Sequence, residues 1–163
     1  MIAIVWGGAS NPADNRDMAR WCANRIWPGA GEEFGHCSTM GVLLDSALIA
    51  VAVFHNWQPR HGVIELSAAA TSKRWLTGRV LHAMFAYAFE GAGAQIVVSR
   101  TSPKDRALGR ILKTYGFKTY CIPRLRGRDE DEWIHTLTDD DWRSNQFERR
   151  YHGKAQSTGT ARS

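Results

Sequence analysis

The chain has 163 residues, a formal net charge of +5 and 44% hydrophobic residues, 7 of them Trp. That length suits one domain with a real core, and that apolar content excludes a largely disordered chain. No apolar run approaches the ~18 residues that a membrane helix needs, and no basic stretch leads into a long apolar one as in a secretion signal, so a cytoplasmic location is expected.

Ile2–Trp6 reads as a first strand, closed by Gly7-Gly8. Asn11-Pro12 opens a helix whose Met18, Trp21, Cys22 and Ile26 recur at helical spacing, and Pro28, Gly29 and Gly31 stop it. Val42–Leu44 and Leu48–Phe54 flank Asp45-Ser46, a strand hairpin. A loop over 56–62 leads to the strand Val63–Ala68, where Ile64, Leu66 and Ala68 share one face and Val63, Glu65 and Ser67 the other. Glu65 is conspicuous there, because an unpaired carboxylate is costly to bury.

From Thr77 a helix presents Val80, Leu81, Met84, Phe85 and Ala88 on one face, and Gly91 and Gly93 end it. Gln95–Ser99 reads as a short buried strand. Ser102-Pro103 is placed to start a further helix with Ser102 as its cap; Leu108, Ile111, Leu112 and Tyr115 form its apolar face and Gly116 its stop. Phe117–Ile122 is a strand, Pro123–Glu132 a charged link, Trp133–Leu137 the last strand. Thr138 caps a helix over Asp139–Arg149, and the polar stretch from His152 to Ser163 reads as a disordered tail. One domain over 1–151 followed by that tail is expected, with a mixed α/β sheet.

Cys22, Cys37 and Cys121 are odd in number and widely spaced, so neither a disulfide framework nor a metal site is expected. The basic balance favours anionic partners, among them nucleotide phosphates, nucleic acid and acidic peptides. Arg106, Arg110 and Lys113 form a basic stripe, and Arg124, Arg126 and Arg128 face an acidic block over 129–132 that neutralises them locally. His55, Asn56, Trp57 and His61 lie between strands, either lining a pocket or anchoring a loop.

The stretch from Glu65 to Arg79 is the most informative. A strand runs into the basic loop Lys73-Arg74-Trp75-Leu76-Thr77-Gly78-Arg79, and a helix opens directly from it. Such a junction offers free backbone N–H groups and the positive end of a helix dipole, which suit a pyrophosphate. A solvated basic loop is the other reading of the same residues.

Here the chain resembles the GNAT family of acyl-CoA N-acyltransferases, whose pyrophosphate loop reads [Gln/Arg]-x-x-Gly-x-[Gly/Ala]. Lys73 matches its first position and Gly78 its last, with Leu76 in place of the middle glycine. The helix ending in Tyr115-Gly116-Phe117 and the closing segment Thr138-Asp-Asp-Asp-Trp142 are similar to family members that modify protein N-termini and to small phage and prophage members. The similarity covers about residues 35–145.

It implies a single-domain, mostly antiparallel central sheet with flanking helices, and acetyl-CoA as the cofactor. The loop Lys73–Arg79 would hold the cofactor, with the backbone of Ser67, Ala68 and Ala69 along its pantetheine arm. Glu65 is then the implied base and Tyr115 the candidate acid, although Leu112 stands where the family's tyrosine usually lies and Tyr115 also reads as core. The acceptor would be an amine, and the protein a monomer or homodimer without membrane association. A GNAT-fold module that binds nucleic acid or a host protein without turnover is the competing reading.

Overall fold

The structure is a computed structural model, and it describes residues 1–159. Its framework is one seven-stranded sheet in the order β1-β2-β3-β4-β5-β7-β6. The strands are β1 (Ile2–Trp6), β2 (Cys37–Leu44), β3 (Ala47–Gln58), β4 (Val63–Ala70), β5 (Ile96–Thr101), β6 (Lys118–Gly127) and β7 (Glu130–Thr138). The helices are α1 (Pro12–Ile26), α2 (Gly78–Ala86), α3 (Arg106–Tyr115), α4 (Asp139–Ser144) and α5 (Gln146–Gly159). β4 and β5 run parallel, whereas each other neighbouring pair is antiparallel.

Strand alternation sends side chains to two cores. Val51 and Val53 of β3 meet Met18 and Cys22 of α1 on one face. Ala50, Ala52 and Phe54 point oppositely and join Ile64, Leu66, Val97 and Leu137 under Val80, Met84 and Phe85 of α2. The expected hairpin turn is present, with Asp45 and Ser46 at φ 48° and 71°. Thr77 starts α2, its hydroxyl accepting from the Val80 N–H. After Ala86 the helix widens into a π-turn over Tyr87–Gly91, where the Ala92 N–H reaches back to the Tyr87 carbonyl at 2.8 Å.

Five expectations change. Ser102 does not cap α3: its hydroxyl accepts from the Lys104 N–H in a turn, and Asp105 caps Leu108 instead. The expected core face of α3 is half open, with Leu108 and Ile111 36% and 47% exposed, while Gly109 is the residue pressed against Trp133. Most of the charged link over 123–132 belongs to the β6–β7 hairpin, its charges pairing across the strands (Arg126 to Glu130 and Glu132, the Arg124 N–H to Asp131). The last helix is two: the chain bends at Asn145 (ψ 154°), whose side chain caps Glu148. Residues 152–159, expected to be a tail, continue α5; residues 160–163 lie outside the described residues.

α1 is locked to the sheet at its start. Asn15 donates to the Cys37 carbonyl and accepts from Thr39. A Cβ on Gly7 would lie 2.2 Å from Thr39 Oγ1 and 2.7 Å from the Asn15 Cα, and the latter is backbone that cannot rotate away. Gly7→Ala is expected to destabilise the fold by about 2 kcal/mol through overpacking; a denaturant midpoint equal to that of the unsubstituted chain would contradict it.

Candidate functional site

β4 and β5 stay paired only from Val63 to Glu65 against Ile96 to Val98. Beyond that they diverge, and the fork is bridged by a hydrogen bond from Ser99 Oγ to the Leu66 carbonyl at 2.6 Å. β4 remains paired with β3 as far as Ala70, so its other edge is left without a strand partner from Ser67 onward. A cleft of about 1320 Å³ opens there, lined by Glu65–Ala70 on one arm and Ser99–Ser102 on the other. Leu108, Ile111 and Leu112 of α3 and Arg25–Trp27 at the end of α1 complete its walls.

Glu65 sits at the fork, its side chain 17% exposed. Register places it opposite His55, immediately before the irregularity in β3 that carries Asn56 at φ 50°. Asn56 Nδ2 donates to Glu65 Oε2 at 2.7 Å. His55 Nε2 is 4.0 Å from Glu65 Oε1 and 2.9 Å from Ser67 Oγ. Burial pushes the His55 pKa down, with Glu65 opposing more weakly, so the imidazole is held neutral. Further along the opposite arm, Arg100 makes two hydrogen bonds to the buried Glu132 (3.1 and 2.7 Å), and Arg126 adds a third. Glu132 is thus neutralised, while Glu65 touches an amide and a neutral ring and interacts with the Arg100 charge only through space.

No protein-family model matches the chain, and neither does any curated protein sequence. Solved structures do. Spermidine/spermine N-acetyltransferase SpeG from Vibrio cholerae superposes with a TM-score of 0.65 at 10% identity, over 89% of this chain and 100% of that one. A GCN5-related N-acetyltransferase from Brucella melitensis gives 0.58 at 15% identity, over 71% and 56%. An acetyltransferase of the GNAT family from Bacillus anthracis gives 0.54 at 15%, over 63% and 66%. The fold is that of GNAT acetyltransferases. At these identities the likeness concerns the fold alone.

On this GNAT framework the sequence-derived site separates into two groups. Glu65, Ser67, Ala68, Ala69, Lys73, Trp75 and Leu76 line the cleft, together with the ring of Tyr115. Arg74, Thr77, Gly78 and Arg79 do not line it. The Arg79 guanidinium donates to the Ile2 carbonyl at 3.0 Å, and Arg74 adds to the field around Asp45, behind the larger effect of the Met1 amine. Thr77 is occupied as the α2 cap. Among the described hydrogen bonds, the Gly78 and Arg79 amides at that helix start have no protein acceptor. A Cβ on Gly78 would meet nothing within 4 Å, so no close packing demands glycine there.

Tyr115 does not sit as an acid should. Its side chain is stacked on Phe85 in the core, with its hydroxyl near Asn145 and Trp142 but in no hydrogen bond of good geometry. Burial pushes its pKa up, which suits a packing role. The basic stripe of Arg106, Arg110 and Lys113 is exposed and lies outside the cleft, as do Trp57 and His61. Sequence reasoning missed Arg100 and Glu132, whose pairing needs the β5–β7 register; the signal available was a Glu in an otherwise half-apolar strand.

A second buried histidine shares the His55 behaviour. His135 is fully buried between Thr101 Oγ1 (2.8 Å) and Thr119 Oγ1 (2.9 Å), and burial lowers its pKa. Both imidazoles bind protons less readily folded than unfolded. The unfolded chain therefore holds more protons below the ordinary histidine pKa of about 6.5, and stability falls as pH drops from there. The melting temperature is expected to decline on acidification from about pH 7 to 5, less steeply in His135→Gln. A profile that is flat or rises on acidification would exclude this.

Proposed function

We propose that the chain transfers an acetyl group from acetyl-CoA to a primary amine by direct attack within the cleft. The observation that carries this reading is Glu65, a carboxylate that among the described residues makes no direct contact with Lys or Arg, held at the fork beside an unpaired strand edge. Two features fit the cofactor. The free β4 edge over 67–70 offers backbone N–H and C=O groups to an extended amide chain. At its end, Lys73 and the unpaired Gly78 and Arg79 amides at the start of α2 provide donors and positive potential for a pyrophosphate. When bound, acetyl-CoA supplies an activated thioester carbonyl.

Glu65 accepts the proton released as the amine nitrogen bonds to that carbonyl and the carbon–sulfur bond breaks. Asn56 holds the Glu65 carboxylate in place through Oε2, leaving Oε1 free for the amine or a relaying water. His55 positions Ser67 and, kept neutral by burial, adds no positive charge beside Glu65. Glu33 also lines the cleft and favours a cationic acceptor before it loses its proton. Tyr115 is assigned to the core, so the departing sulfur takes its proton from solvent reaching the open cleft.

A second reading, a binding module without turnover, draws on the buried Tyr115 hydroxyl and the exposed Arg106, Arg110 and Lys113. DNA binding that falls steeply with salt, in the absence of any acetyl-CoA effect on melting, would favour it.

Glu65→Gln keeps the size and the Asn56 contact but cannot take a proton. It is expected to slow thiol release about a hundredfold or more with an active amine, while the acetyl-CoA Kd from calorimetry changes less than about threefold. Loss of cofactor binding in parallel with turnover would make Glu65 structural; no acetyl-CoA binding by the unsubstituted chain would defeat the proposal.

A further inference from the structure

Away from the cleft, α2 and α5 meet around a buried carboxylate. Glu148 on α5 is 3% exposed, and its Oε1 lies 2.8 Å from His82 Nδ1 on α2 and 2.8 Å from His152 Nε2, one turn further along α5. The three ligand atoms fall within 4.8 Å of one another. None of the three residues lines the cleft. His82 is held in orientation by Tyr151, whose ring stacks on it at 4.0 Å, and Trp142 lies beyond at 6.2 Å. His152 is mostly exposed, with 59% of its side chain accessible.

Glu148 stands in the first turn of α5, and its described side-chain partners are two imidazoles. Buried Glu132, by contrast, has two guanidinium groups. Both rings converge on one oxygen of a buried carboxylate, and a divalent cation in the space between them would use all three groups as ligands. Two imidazole nitrogens and one carboxylate oxygen, with a solvent-facing fourth position, form the donor set that suits zinc and its neighbours rather than calcium or magnesium.

The geometry is close to what such an ion needs. Tetrahedral ligands at 2.0–2.1 Å from a zinc ion stand about 3.3 Å apart. Each ring must therefore retreat from Glu148 by roughly half an ångström, a motion within the reach of surface side-chain torsions. We propose that His82, Glu148 and His152 form a site for one divalent transition-metal ion of the zinc class, which pins α5 onto α2. The site is independent of the acyl-transfer reading, because it shares no residue with the cleft.

The full chain, stripped with chelator and dialysed at about pH 7.5, is titrated with zinc chloride by calorimetry. One ion per chain is expected, with a melting temperature raised by about 5 °C or more at a hundredfold excess over Kd. Cobalt(II) in place of zinc should give the visible absorption of a four- or five-coordinate site. His152→Ala, at an exposed position that the fold does not need, should weaken binding at least tenfold and abolish the cobalt spectrum. His82→Asn should do the same, with an unchanged far-ultraviolet circular dichroism spectrum and a cooperative melt in chelator showing that both variants are folded. Glu148→Gln alters a buried group and could unfold the chain, so the two histidine variants decide the question. No zinc-dependent shift in melting would overturn the proposal. So would binding that survives undiminished in His152→Ala and His82→Asn, since the ion would then sit at thiols such as Cys37 or Cys121.

Discussion

The divergence of β4 from β5 is the constraint on which the rest of the molecule depends. Parallel neighbours ordinarily pair along their length, and stopping after three residue pairs leaves backbone groups of two strands to be satisfied elsewhere. The structure meets that demand in two ways. Ser99 commits its hydroxyl to the Leu66 carbonyl at the fork. Beyond it the small side chains of Ala68–Ala70 leave the free edge of β4 open to the cleft rather than covered. A sheet that is continuous on either side of the fork, three strands closed by β1 and two by β6, keeps the arms from collapsing together.

Charge is distributed around this opening by a consistent rule with one departure. Glu132 answers to Arg100 and Arg126, Arg126 also to Glu130, and Glu130 in turn to Ser102. These pairs tie β5, β6 and β7 together along the outer arm. Glu65, on the inner arm, touches Asn56 and a histidine that burial keeps neutral. The same side-chain type is therefore tied into ion pairs on one arm and left with uncharged contacts on the other. What differs is the neighbours, not the chemistry of the group.

Much of the framework could be read in the chain itself because it is written in local periodicity. The strand alternation around Glu65, the helical repeat from Val80 to Ala88, and the turn residues Asp45-Ser46 and Gly116 all act on their immediate neighbours. Failures occurred where a distant partner decides. Ser102-Pro103 has the form of a helix start, yet Ser102 is drawn toward Glu130 on the neighbouring β7 and the helix begins at Asp105. Residues 123–132 look like a linker because their charges are visible and their cross-strand partners are not. The spacing of Leu108 and Ile111 marks a face of α3, but nothing local says that this face borders a cleft. For the site, the oddity of a carboxylate in β4 was legible, while its partners His55 and Asn56 became assignable only with the β3–β4 register. In the trio of His82, Glu148 and His152, the i,i+4 pair of Glu148 and His152 was visible in the chain, but His82 lies 66 residues from Glu148 and nothing local joins it to them.

The π-turn over Tyr87–Gly91 sets a strict count on the chain between α2 and β5. One extra residue in a helical turn shifts everything after it by about 100° around the axis. The segment addresses two surfaces before handing the chain to β5: Tyr87 lies against Phe54 and Trp6 near one edge of the sheet, and Phe89 against Phe85 and Trp142 on the other side of the core. Removing any one residue from this turn would restore ordinary winding and turn one of those two aromatic rings toward solvent. Side chains here can be exchanged for others of similar bulk, but the number of residues cannot change. Sequences sharing this core should align through 86–94 without a gap, however far their composition has drifted.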